Sequence, residues 1–172
     1  ARLLLFLARY LRSRKPEVVV EFGSGVSTIV TAQCLERNGR GRIITHDHHS
    51  IFAGDTARRL KALGLEADVR AAPLSSHIAE RNGWPGAWYD TDELPSRIDL
   101  LIVDGPPWFL HPLVRGNASC LFDRIVPGGA VLMDDAARPG ERLIAARWRR
   151  EHPEFDFRLL PTRKGALLGT RR

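Results

Sequence analysis

Apolar residues fall along this chain in two alternating rhythms. Short, nearly continuous aliphatic runs occupy residues 18–20, 42–47, 67–71, 98–104 and 130–135. Such runs read as strands buried on both faces. Between them, apolar residues recur at helical spacing: Leu4, Leu7, Tyr10 and Leu11; then Ile29, Val30, Cys34 and Leu35; then a helix over residues 55–63. Further stripes follow at Val114, Ala118, Leu121, Phe122 and Ile125, and at Leu143, Ile144 and Trp148. Two closing runs, FDFRLLP and GALLGT, have no helix between them. Alternation of strand and helix predicts an α/β fold of Rossmann-like, doubly wound form. It has a mostly parallel seven-stranded sheet with helices on both faces, and the last two strands form an antiparallel C-terminal hairpin.

Punctuation agrees with this division. Gly39 and Gly64 mark helix ends, and Pro127, Gly128 and Gly129 close the stripe that begins at Val114. Residues 73–95 contain Gly83, Pro85 and Gly86 beside Trp84, Trp88 and Tyr89, and read mostly as a loop. A loop of that length inside a compact domain suggests a lid over a site, with a local hydrophobic plug as the alternative.

At 172 residues and 44% hydrophobic composition, the chain suits one domain with a substantial core. The formal charge of +6 gathers in residues 138–150 and at Arg171 and Arg172. No aromatic ladder interleaves those arginines, so the surface lacks the stacking platform of single-strand nucleic-acid binders. Residues 1–14 form an amphipathic helix rather than a signal sequence, and no stretch is long enough to span a bilayer. Cys34 and Cys120 belong to no CxxC pattern and read as buried free thiols, which fits a reducing cytoplasm.

The chemistry lies at the carboxyl ends of the predicted strands. Glu21, Asp47, Asp104, Asp134 and Asp135 all fall there, at the rim where open α/β sheets bind ligands. After Glu21 the chain turns through Gly23, Ser24 and Gly25, and Ser27 and Thr28 open a helix whose N-terminus favours an anionic group. Asp47 lies on the order of 20 residues beyond that turn, the offset of a ribose-binding acid. Thr28 stands where a dinucleotide fingerprint wants its third glycine, which disfavours a nicotinamide oxidoreductase. His46, His48 and His49 alternate faces along a strand end and do not converge on a metal; His48 is placed beside the ribose.

The run Glu21, Phe22, Gly23, Ser24, Gly25 resembles the first motif of class I S-adenosylmethionine-dependent methyltransferases, and Asp47 matches that family's ribose acid. The resemblance covers nearly the whole chain. It implies a methyl transferase using S-adenosylmethionine, with Gly23 and Ser27 at the methionine portion and Pro73 and Leu74 flanking the adenine. IDLLIVDGPP and LMDDAARPGER resemble a small bacterial group within that superfamily, and more distantly the catechol-type O-methyltransferases. By that likeness Asp104, Asp134 and Asp135 occupy the positions of Mg²⁺ ligands, with Asp135 where those enzymes have Asn. Their catalytic lysine has no counterpart in GPPWFLH. Without metal, Asp104 is the expected general base toward a hydroxyl or amine, with His111 as second candidate. The acceptor is expected to be a small or oligomeric polar molecule, methylated at oxygen. Three other readings stay open. The GPPW run is similar to the acceptor loop of nucleic-acid amino-methyltransferases, a non-catalytic cofactor-binding module would share the same turn, and an NAD-dependent oxidoreductase keeps its acid.

Overall fold

The computed structural model describes residues 2–172. Helix α1 (Arg2–Arg14) precedes strand β1 (Val18–Phe22), followed by α2 (Val26–Asn38), β2 (Arg42–Asp47), α3 (Ser50–Ala62) and β3 (Asp68–Ala71). Next come β4 (Leu74–Ser75), α4 (Ser76–Arg81), β5 (Trp88–Tyr89) and β6 (Ile98–Val103). A run of 3-10 turns over Val114–Arg124 leads into β7 (Ile125–Asp134), α5 (Pro139–Glu151), β8 (Phe155–Leu160) and β9 (Ala166–Arg171).

Seven strands form one sheet in the order β3-β2-β1-β6-β7-β9-β8, while β4 and β5 form a separate two-stranded ribbon. β1, β2, β3, β6 and β7 run parallel, and β9 pairs antiparallel with both β7 and β8. This is the expected mixed sheet with its hairpin at one edge. The strand order reverses between β1 and β6, which opens a crevice at their carboxyl ends.

Successive strand residues feed opposite cores, as the two-residue period requires. Val19, Leu100, Ile102 and Leu132 pack with Leu7 and Leu11 of α1, Leu35 of α2 and Leu60 of α3. Val20, Phe22, Leu101, Val103 and Met133 pack on the other face with Phe122, Ile144 and Trp148. Gly39 ends α2 in the left-handed conformation, φ 67°.

Four segments differ from the sequence reading. α3 starts at Ser50 rather than near residue 55, because its first turn exposes Ile51 and Phe52 and so shows no apolar stripe. Val114–Arg124 coils as 3-10 turns rather than an α-helix. β7 begins at Ile125 and passes through Pro127–Gly129, with a register shift between Ile98 and Leu100 of its partner β6. Residues 73–95, though mostly loop, also hold the β4–β5 ribbon and α4, and Trp84, Trp88 and Tyr89 are core residues rather than lid residues. Leu143 is exposed, Cys34 is buried and Cys120 half-buried, both as free thiols. Among the described residues, no helix is long and apolar enough to cross a membrane.

Candidate active site

Two glycine turns are pressed together at the crevice between β1 and β6. Gly23 has φ +93°, and a Cβ built on it would lie 2.7 Å from the Gly105 nitrogen. A Cβ on Gly105 would in turn meet the Gly23 Cα at 3.0 Å. Backbone bonds hold the contact: the Asp104 and Gly105 N–H groups both donate to the Phe22 carbonyl, and the Gly23 N–H donates to that of His46. Gly23 therefore needs to be glycine on both conformational and steric grounds. Gly25 does not. Its φ of 162° is ordinary extended backbone, and no atom lies within 4 Å of where its Cβ would be.

Glu21 is wholly buried beneath the turn. Thr28 Oγ1 donates to Glu21 Oε2 at 2.5 Å and accepts the Gly25 N–H at 2.9 Å. The hydroxyl that replaces the third fingerprint glycine thus ties strand, turn and helix together. Burial pushes the Glu21 carboxyl up to about 7, opposed by hydrogen bonds from Ser27, Thr28 and Thr45. Glu21 and Thr28 shape the turn from below.

Asp47 fixes the turn from the β2 side. Its Oδ2 accepts both the N–H and the hydroxyl of Ser24, each at 2.9 Å, and its Oδ1 accepts the His49 N–H at 2.9 Å. A carboxylate has about four acceptor positions, so Oδ1 retains capacity for a further donor. His48 Nδ1 lies 3.6 Å from the same oxygen. His46 points into the core, where burial lowers its pKa to about 4, and its ring packs near Phe22 and Tyr89.

A cleft of about 360 Å³ opens over this crevice, lined by Gly23, Ser24, Asp47, His48, Asp104 and Arg115, with Phe52, Trp108 and Phe109 at its lip. A larger groove, about 870 Å³, follows the β2–β3 edge and holds none of the sequence-predicted site residues. Asp104 enters the cleft with 45% of its side chain exposed. Desolvation raises its pKa and Asp135 adds to the rise, against the opposing fields of Arg115, Lys164 and Arg138.

Asp104, Asp134 and Asp135 do converge, with one carboxylate oxygen from each within 4.8 Å of the others. Asp135 sits at φ +58°, a conformation that Asp and Asn tolerate better than most residues. The Asp134 carboxyl is also raised, chiefly by desolvation, although its Oδ1 accepts the Asp135 N–H at 2.7 Å. His111 lies outside the cleft lining, and its Nδ1 accepts the Leu113 N–H at 3.1 Å. Pro73 is exposed and Leu74 half-buried in β4; neither lines the cleft. Ser27 is half-buried on the first turn of α2.

Sequence reasoning missed Arg115. It is 3% exposed and stands three and seven residues before Ala118 and Phe122, so its signal was a charge placed on an apolar stripe. Its guanidinium donates to the carbonyls of Asp104, Pro106 and Asp134, joining the ends of β6 and β7.

A family model described as a methyltransferase domain matches residues 20–136, from the glycine turn through the acidic pair. The chain belongs to that methyltransferase domain family. Solved structures similar in fold include a putative O-methyltransferase from Klebsiella pneumoniae at 18% identity, covering 100% of this chain and 80% of that one, with a TM-score of 0.73. A Podospora anserina methyltransferase bound to S-adenosylhomocysteine matches at 18% identity over 99% and 78% of the two chains, TM-score 0.71. The Streptomyces achromogenes O-methyltransferase TomG, solved with S-adenosylmethionine, matches at 19% over 99% and 80%, TM-score 0.69. No curated protein matches the sequence significantly.

Proposed function

We propose that this methyltransferase domain transfers the methyl group of S-adenosylmethionine to the oxygen of a small or oligomeric polar acceptor. One observation carries the reading: the contact of Gly23 with Gly105 brings the cofactor turn and the acid that follows β6, Asp104, to a single cleft. The open space over Gly25 supports close approach of a ligand to the backbone there. Oδ1 of Asp47, with capacity to spare, is the acceptor for a ribose hydroxyl, and His48 stands beside it. Gly23, Ser24 and Ser27 are assigned to the methionine portion, with Pro73 and Leu74 toward the adenine. Those last two would have to be reached from beyond the present cleft.

S-adenosylmethionine supplies an electrophilic methyl on a sulfonium sulfur. The protein's part is to align an acceptor lone pair with that methyl, exclude water and take the acceptor's proton. Asp104 suits the last task because its raised pKa makes it a better proton acceptor than an ordinary carboxylate. The turn at His111 gives that residue a capping role instead. The TomG and Klebsiella resemblances favour oxygen as the acceptor atom.

Titration calorimetry with S-adenosylhomocysteine and NADH tests the cofactor. Binding of the former and not the latter is expected; no heat with S-adenosylhomocysteine would sink the proposal. Ligand at about 100 times its Kd adds about 2.7 kcal/mol of stability, a rise of roughly 5–10 °C in melting temperature for a chain of this size. In an acceptor screen, Asp104→Asn is expected to lower kcat by about 10²- to 10⁴-fold while leaving cofactor affinity intact. Full activity in that variant would remove Asp104 from the role of general base.

A further inference from the structure

We infer that the Arg115 guanidinium is the built-in cation of the acidic rim and fills the role that a divalent metal would otherwise take beside Asp104, Asp134 and Asp135. Its catalytic consequence rests on the methyl-transfer reading above; its charge argument does not.

The rim already carries its counter-ions. Arg138 Nη2 lies 2.7 Å from Asp135 Oδ2 and Lys164 Nζ lies 3.5 Å from Asp135 Oδ1, so each oxygen of that carboxylate has a cation beside it. Arg115 Nη1 is 3.8 Å from Asp135 Oδ2 and 3.8 Å from Glu141 Oε1, while its Nη2 is 3.6 Å from Asp104 Oδ1. Four carboxylates, those of Asp104, Asp134, Asp135 and Glu141, therefore face three permanent or near-permanent cations in Arg115, Arg138 and Lys164. A divalent ion brought among them would overshoot neutrality.

Arg115 also cannot step aside. Its Nε donates to the Pro106 carbonyl at 3.1 Å, Nη1 to Asp134 O at 3.2 Å, and Nη2 to Asp104 O. Its charge persists at any working pH, since the guanidinium does not deprotonate in proteins. Mg²⁺ demands oxygen ligands in near-ideal octahedral array, which a fixed fork of N–H donors pointing at the same strand ends obstructs. Arg115 is thus a positioning residue. It holds the Asp104 backbone in place and offsets the charge of the rim.

The probe is Mn²⁺, whose paramagnetic resonance signal falls on binding, added to the purified chain with and without S-adenosylhomocysteine. Wild-type protein is expected to leave that signal unchanged. Arg115→Met removes the charge and keeps an unbranched stem; it is expected to bind Mn²⁺ at least about tenfold more tightly than wild type, equivalent to about 1.4 kcal/mol. Adding Asp134→Asn should abolish the new site. Mn²⁺ binding by wild type that Asp134→Asn removes would overturn the inference, as would a folded Arg115→Met that gains no site. If circular dichroism shows Arg115→Met unfolded, Arg115→Gln decides, since its amide keeps an N–H donor for the strand-end carbonyls without the charge. It gains the Mn²⁺ site if Arg115 fills the rim, whereas a folded Arg115→Gln that stays free of Mn²⁺ sinks the assignment. Calorimetry with S-adenosylhomocysteine on the same samples separates the two readings: absent heat removes the cofactor proposal and leaves the Mn²⁺ result standing.

Discussion

Glu21 lies under the glycine turn with no exposed surface, and its carboxyl is pushed up to about 7, mainly by burial. Its folded pKa thus exceeds its unfolded value, so the stability it contributes is full at low pH and is lost between about pH 4.5 and 7. His46, on the neighbouring strand, works in the opposite direction. Its pKa is lowered by burial to about 4, so its contribution is full above about 6.5 and is lost as pH falls toward 4. The two slopes offset each other in the wild type. Glu21→Gln keeps an acceptor for the Thr28 hydroxyl and removes one of them. Urea denaturation at pH 5 and pH 8 should show the variant gaining on wild type at the higher pH and losing ground at the lower. Equal differences at both pH values would mean that Glu21 titrates normally.

Among the elements, the 3-10 run over Val114–Arg124 packs against one aromatic ring. Trp84, from the segment between α4 and β5, lies so close to Gly116 that a Cβ there would come within 2.2 Å of the indole ring. The Gly116 carbonyl also accepts the Trp148 indole N–H at 3.2 Å, and Arg147 stacks 4.0 Å over the Trp84 ring. Gly116→Ala should therefore cost about 1–3 kcal/mol by overpacking, and Trp84→Ala about 3–5 kcal/mol by loss of burial. In the Trp84→Ala background the alanine at 116 should cost far less, which a double-mutant cycle from urea melts measures. Identical costs in both backgrounds would show that the ring is not what excludes the methyl. Part of this element could not be read from sequence. Apolar spacing at Val114, Ala118, Leu121 and Phe122 fits either helix type, and the ring packed on Gly116 comes from the segment between α4 and β5, outside any local pattern. β4 and β5, two residues each, carry no periodicity at all. The long aliphatic strands and the turn from Glu21 to Gly25 were legible because burial on both faces and a glycine-only contact leave direct marks on residue type. Arg115 left a mark too, as a charge among apolar residues, but its partners are backbone carbonyls beyond the end of β6 and at the end of β7, which no local pattern announces.

At the scale of the whole molecule, the two cores share one set of strands. Val19 faces the α1–α2 side and Val20 the α5 side, and Leu100 and Leu101 divide in the same way. Neither core can be dismantled without stripping alternate residues from the other, so the domain should unfold as one cooperative unit. The molecule carries separate reporters for the two sides. Trp84, Trp88 and Trp148 belong to the core on the α5 face, and Cys34 to the core on the α1–α2 face. In a Cys120→Ser background, tryptophan fluorescence and labelling of Cys34 should give coincident transitions along a urea gradient. Saturating S-adenosylhomocysteine should move both by the same amount, since a ligand at the crevice between β1 and β6 bears on strands common to both cores. Cys34 labelling at lower urea than the fluorescence change would show that the α1–α2 side opens independently, and with it that the cofactor turn, which leads into α2, can loosen while the acceptor side stays folded.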